Sequence, residues 1–182
     1  MNDFPGTIRA LCEGKVRFVV IGGVAASAHG SRHLTFDLDL CYDRGRDNIE
    51  CLAKALEPFH PRLRGVREDL PFSFDAPTVA AGMNFTLTTD LGDIDLLGEV
   101  TGMGGYKEAK ALSVNLDLFG LQCPVLSLDG LIQSKRAAAR PKDLLTLPEI
   151  EVLREMETQR NAQSGPVGAP RGRHIGDNRT KT

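Results

Sequence analysis

Apolar and polar positions alternate in a few sharply bounded stretches of this chain. The most apolar is Val19-Val20-Ile21, a β-branched run that stops at Gly22. A run without polar interruption suits a strand buried on both faces. Gly22 and Gly23 then permit backbone angles and close approach that a side chain forbids. Residues 24–29, rich in alanine, predict a short helix closed by Gly30. Next, Phe36, Leu38 and Leu40 alternate with Asp37 and Asp39. This two-residue period predicts a strand with its apolar set toward a core and both aspartates on the opposite face, beside the glycine turn.

The remaining pattern places elements around that unit. Residues 4–13 predict a helix with Ile8, Leu11 and Cys12 on one face, ended by Gly14. After a turn at 43–45, Asp47 is placed to cap a helix running to Pro58, with Ile49, Leu52, Ala53 and Leu56 at helical spacing. Residues 59–78 read as irregular, broken by Pro61, Gly65, Pro71 and Pro77, with Phe72 and Phe74 tucked onto the core. Residues 84–89 and 93–97 alternate as two strands of a hairpin turning at Asp90-Leu91-Gly92. Residues 106–111 read as one or two helical turns, and 113–125 as a second hairpin turning at Phe119-Gly120. Ser127 caps a helix that Pro141 punctuates. A last helix from Lys142 to about Gln159 turns Leu144, Leu145, Leu147 and Leu153 inward. The fold class is therefore α/β (α+β): a mixed, mostly antiparallel sheet with helices packed on it, forming one domain over 1–160. Residues 161–182 lack apolar periodicity, are rich in Gly and Pro, and read as a disordered basic tail.

Composition narrows the classes. At 182 residues, 41% hydrophobic and 25% charged, the chain is an ordinary globular domain. Its net charge of -2 supplies no global basic field for nucleic acid. From Thr158 onward five basic residues face one acidic, a surplus of four, which leaves -6 on the rest of a chain whose total is -2. An acidic body suits a metal-binding core. No apolar run approaches the ~20 residues of a membrane helix, and no secretory leader pattern opens the chain. Cys12, Cys41, Cys51 and Cys123 form no Cys-x-x-Cys pair. They read as reduced thiols of a cytoplasmic protein rather than as zinc ligands.

Chemistry concentrates at the glycine turn. Two aspartates side by side repel, and a divalent cation relieves that cost. Carboxylate oxygens suit a hard ion such as Mg²⁺, which bridges substrate phosphates. The Gly-Gly turn opening a helix offers backbone N–H groups to an anion. Together these point to phosphoryl or nucleotidyl transfer. Asp93 and Asp95 both project to one face of the later hairpin, and periodicity alone leaves either as a further carboxylate. Lys135, Arg136, Arg140 and Lys142 form a late cationic cluster, which by itself reads as a solvated face. His29 and His33 flank the turn, and capping of the short helix is the reading favoured for them. Arg32 is better suited to phosphate because its fork matches phosphate oxygens. No Walker-type Gly-Lys-Ser/Thr and no Ser-His-Asp order is present.

The stretch GGVAASAHGSRHLTFDLDL resembles the signature of the DNA polymerase β-type nucleotidyltransferase superfamily: apolar strand, Gly-Gly, short helix, then Asp-x-Asp, with thirteen residues between Gly23 and Asp37. More narrowly it is similar to small bacterial AbiEii-like nucleotidyltransferases of toxin–antitoxin systems, which carry an Arg and a Thr before the Asp-x-Asp, matched by Arg32 and Thr35. The resemblance implies a third carboxylate on a later strand, and GDIDLL assigns it to Asp95 rather than Asp93. It also implies a Lys on the helix after the second hairpin, Lys135, neutralising triphosphate, and a Lys-Asp pair opening the next helix, with Asp143 orienting Lys135 or capping that helix. On this basis Asp37, Asp39 and Asp95 are the expected catalytic and metal-binding residues, with Mg²⁺ or Mn²⁺ as cofactor. Gly22, Gly23, Arg32, Thr35 and Lys135 are the expected nucleotide-binding residues, with a nucleoside triphosphate as substrate. The expected reaction moves a nucleoside monophosphate to an acceptor hydroxyl on RNA such as tRNA, on protein or on a small molecule. The alternative is a non-catalytic nucleotide-binding or regulatory half of a toxin–antitoxin pair, with an antitoxin as partner. The C-terminal part is shorter than in larger relatives, which leaves the acceptor open.

Overall fold

The computed structural model describes residues 2–67 and 71–163. Among the described residues, seven α-helices, α1 (Phe4–Glu13), α2 (Gly22–Ala28), α3 (Arg46–Leu56), α4 (Ala76–Ala81), α5 (Tyr106–Ala111), α6 (Leu128–Ala138) and α7 (Pro141–Gln163), accompany seven strands. The strands are β1 (Phe18–Val20), β2 (Leu38–Tyr42), β3 (Arg62–Leu63), β4 (Asn84–Thr89), β5 (Gly92–Leu97), β6 (Ser113–Leu118) and β7 (Leu121–Leu126). They form one mixed sheet in the order β3-β4-β5-β2-β1-β7-β6. β2 pairs with β5, and β1 with β7, in parallel; the other neighbours are antiparallel. This is the mixed, mostly antiparallel α/β architecture that the periodicity predicts.

Strands β1 and β2 are buried because both their faces are covered. Val19, Val20, Leu38 and Cys41 are fully enclosed, as a near-continuous apolar run requires. α2 packs on β2 and β7, α6 packs on α2, and α7 on α6, while α1, α3 and α4 pack together as a second group. Local signals set several ends. Asp3 caps α1 by accepting from the Gly6 N–H, Asp75 caps α4 from Thr78, and Ser127 caps α6 from Gly130.

Several sequence expectations are corrected. β2 begins at Leu38, so Phe36 is not a core residue; it is 74% exposed. Asp47 does not cap α3, whose N-cap is Gly45; its carboxylate instead holds the Arg17 guanidinium at 2.9 Å. Residues 59–78 contain β3 and α4 rather than irregular chain alone. β3 has only two residues, too short to leave a periodic signal. On α7, Leu144 and Leu145 are exposed, while Asp143 and Ile150 are the buried positions. The helix continues through Gln163; residues 164–182, most of the expected tail, lie outside the described residues.

Candidate active site

Register builds the site. In the parallel pairing of β2 with β5, Asp39 lies directly opposite Asp95. Asp37 precedes β2 by one residue. Carboxylate oxygens of Asp37, Asp39 and Asp95 lie within 4.8 Å of one another, all three side chains half-buried. Asp93 is outside this group. Its side chain is 35% exposed against 24% for Asp95, and it accepts from Thr88 Oγ1 at 2.8 Å.

The two glycines are demanded by their neighbours. Gly22 sits at φ +64°, and a methyl there would collide with the Asp39 carboxylate. A methyl on Gly23 would collide with Thr35 Oγ1. Thr35 Oγ1 in turn donates to Asp37 Oδ1 at 3.1 Å. The turn, Thr35 and the first two carboxylates are therefore one packed unit. α2 has seven residues, and the Gly23 N–H helps hold the Asp39 carboxylate.

Burial pushes the Asp39 carboxyl up to about 7, with repulsion from Asp37 and Asp95 adding to it and Lys142 and the Gly23 N–H opposing it. Asp95 is raised too, first by burial, with Arg64 pulling it down and Asp37 pushing it up. A carboxylate held this far above its usual range is short of positive charge. Three such oxygen donors on a half-buried floor fit a hard divalent cation.

The cleft over this floor has a volume of about 680 Å³. Its walls include Gly22, Gly23, Thr35, Lys135, Lys142 and the exposed Phe36. Lys135, 13% exposed, binds Asp143 Oδ1 at 3.2 Å, and Arg140 binds Asp143 Oδ2 at 2.6 Å. Burial acts to raise Asp143, but its bonds to Arg140 and Lys135 outweigh it and hold the carboxyl below its usual range. Asp143 thus orients Lys135, one of the two roles considered for it.

Among the expected ligands, Arg32 stands apart. It is exposed, its backbone N–H donates to Glu149 Oε1 at 2.9 Å, and it is not among the cleft-lining residues. His29 is the C-cap residue of α2, its Nε2 2.9 Å from the Leu126 carbonyl; His33 faces Glu149 at 3.4 Å.

Two contributors, Arg64 and Glu149, escaped the sequence reading. Arg64, which continues β3, binds Asp95 Oδ1 at 2.6 Å and Asp93 Oδ2 at 3.0 Å. Nothing in its local sequence marks it. Lys142, expected as part of the Lys-Asp pair, lines the same cleft, where its charge opposes the rise of Asp39 and Asp95. Glu149 of α7 ties down residues 31–33, a contact across more than a hundred residues.

No family model matches the sequence, and no curated protein does. Solved structures do match. The antibiotic-resistance factor ANT(2'')-Ia, in its solution structure, superposes with a TM-score of 0.52 at 16% identity over 87% of this chain and 91% of its own. Its crystal structure with adenylyl-2''-tobramycin gives 0.51 at 18% identity, over 86% and 95%. This chain has the nucleotidyltransferase fold. A candidate nucleotidyltransferase of Thermotoga maritima also aligns, over 89% of this chain and 96% of its own at 17% identity, with a TM-score of 0.48 too low to add weight. In the nucleotidyltransferase fold of this chain, Asp37, Asp39 and Asp95 line the floor of the cleft. No described helix is long and apolar enough to cross a membrane.

Proposed function

We propose that this chain is a metal-dependent nucleotidyltransferase. An acceptor hydroxyl attacks the α-phosphorus of a nucleoside triphosphate, the bond to the β-phosphate oxygen breaks, and pyrophosphate leaves. The observation that carries this reading is the meeting of three carboxylates within 4.8 Å beside a glycine turn that tolerates no side chain. Asp37, Asp39 and Asp95 would hold Mg²⁺ or Mn²⁺, which supplies Lewis-acid stabilisation of charge at the transferred phosphoryl group. Gly22 and Gly23 present backbone to the phosphates at the cleft wall, and Lys135 and Lys142 offset their charge.

The cleft walls bear on the acceptor. Apart from the triad, the one carboxylate among the described lining residues is Asp143, already paired with Lys135 and Arg140. An acceptor carrying several ammonium groups finds no free carboxylate among the described lining residues beyond the triad. A hydroxyl on RNA, on a protein or on a neutral small molecule suits the walls better. The finer placement among AbiEii-like nucleotidyltransferases rests on Arg32, Thr35, the GDIDLL strand and Lys142-Asp143. With it comes an antitoxin partner.

The test is incubation with each radiolabelled triphosphate, Mg²⁺ or Mn²⁺, and either total RNA or cell lysate. Label should move to an acceptor with release of pyrophosphate, and Asp37→Ala with Asp39→Ala should abolish it. Absence of transfer under every triphosphate and both ions would overturn the reading. Growth arrest on expression, lost in the same double variant, tests the toxin assignment.

A further inference from the structure

We propose that Leu34 and Phe36 form the platform on which the base of the nucleoside triphosphate stacks. The inference rests on the nucleotidyltransferase reading of the same cleft and adds a base subsite to it.

Leu34 is 86% exposed and Phe36 74%. Both continue the apolar alternation of Leu38 and Leu40, yet they precede β2 and are not buried as that pattern predicts. Such a local violation of pattern is expected at a functional position. The segment carrying them is nevertheless held along its length. Ser31 Oγ donates to Glu149 Oε2 at 2.6 Å, the Arg32 N–H donates to Glu149 Oε1 at 2.9 Å, and His33 Nε2 faces the same carboxylate at 3.4 Å. Thr35 is bonded to Asp37 and packed over Gly23. The Phe36 carbonyl accepts from the Asn2 side-chain amide. On this anchored segment Leu34 and Phe36 are exposed, while Thr35 and Asp37 are half-buried beside the glycine turn. The two apolar side chains are therefore presented by a fixed backbone.

Both also line the cleft that holds the triad. Phe36 adjoins Asp37 in sequence, and its neighbour Thr35 touches the Gly22-Gly23 turn. The polar end of the cleft, with the triad, Lys135 and Lys142, suits phosphates. The apolar surface next to it suits a flat ring joined to those phosphates through a sugar. Stacking on an aromatic face accepts any base, because each has a π-face. The platform accordingly supplies affinity for the nucleoside without choosing among bases.

The chain contains no tryptophan, so Phe36→Trp introduces a single fluorophore. Titration in Mg²⁺ with non-hydrolysable analogues of the four triphosphates should quench its emission. Inorganic tripolyphosphate should leave the emission unchanged while competing for the site. In Phe36→Ala, whose thermal midpoint should stay near the parent's because the side chain is exposed, the analogue Kd should rise roughly tenfold, within the range of base–aromatic stacking. The Kd for tripolyphosphate should not move. Unaltered analogue affinity in Phe36→Ala, or no response of Phe36→Trp to saturating analogue, would overturn the platform while leaving the nucleotidyltransferase reading intact. A raised KM for the acceptor with unaltered nucleotide Kd would overturn it in favour of an acceptor contact. If neither analogue nor tripolyphosphate binds the parent chain, both readings fail together.

Discussion

At the scale of single residues, the site is a set of positions that exclude alternatives. Gly22 has a positive φ and the Asp39 carboxylate against it. Gly22→Ala should lower stability by about 1–3 kcal/mol through backbone strain and collision. Chemical denaturation would measure this, and adding Asp39→Ala should recover part of the steric cost, since the Asp39 Cβ also lies close, but not the φ penalty. Asp39 predicts a pH dependence as well. Its folded carboxyl titrates near 7, above the ordinary value of 3.8. Between those values the folded state binds more protons than the unfolded one, so stability falls as pH rises from about 4 to about 7. Asp95, also raised, acts in the same direction. Thermal melts of the metal-free protein across that window should show the slope, and Asp39→Asn should flatten it. Mg²⁺ should raise the midpoint more at pH 8 than at pH 5, because protons compete for the same oxygens. The residue types at this site were legible in the sequence: Asp37, Asp39 and the glycines stand within one short stretch. Asp93 and Asp95, by contrast, are equivalent in period. The parallel register that sets Asp95 beside Asp39 separates them in space.

At the scale of elements, short pieces carry much of the arrangement. β3 has two residues, and Arg64 follows it with its N–H bonded to the Thr86 carbonyl at 2.9 Å. That backbone bond sets the guanidinium against Asp93 and Asp95. Arg64→Gln should lower the stability of the metal-free protein by about 1.5–3 kcal/mol, the usual worth of hydrogen bonds to charged groups. The deficit should shrink in Mg²⁺, since a bound cation would restore part of the lost charge balance. Thermal melts in chelator and in Mg²⁺ measure both. Long, patterned elements such as α1, α3 and the two hairpins were readable because their periodicity records which face is buried. α7 was readable as a helix but not in its orientation. Leu145 faces solvent, while Asp143 is buried among Lys135 and Arg140. Apolar identity alone fixes neither choice when a buried ion pair occupies the inner face.

At the scale of the whole molecule, the described core closes around one seven-stranded sheet, and α7 caps the cleft side through Glu149. Residues 164–182 contain Val167 and Ile175 as their only large apolar side chains. A chain ending at Gln163 should keep its thermal midpoint within a few degrees, since so little apolar surface repays little ordering entropy. A fall of many degrees would mean that those residues dock. By itself, the sequence determined the strand–turn–helix–strand unit, both hairpins and the cap at Ser127. These follow from local periodicity, glycine geometry and side-chain capping. Only the tertiary structure set Asp95 beside Asp37 and Asp39, as the resemblance implied, placed Arg64 on Asp95, and brought Lys142 and the exposed Phe36 into the lining of the same cleft. Asp95 depends on register between strands distant in sequence, and Arg64 on an ion pair across many residues. A chain's local pattern does not encode such placements, because they follow from how the elements dock.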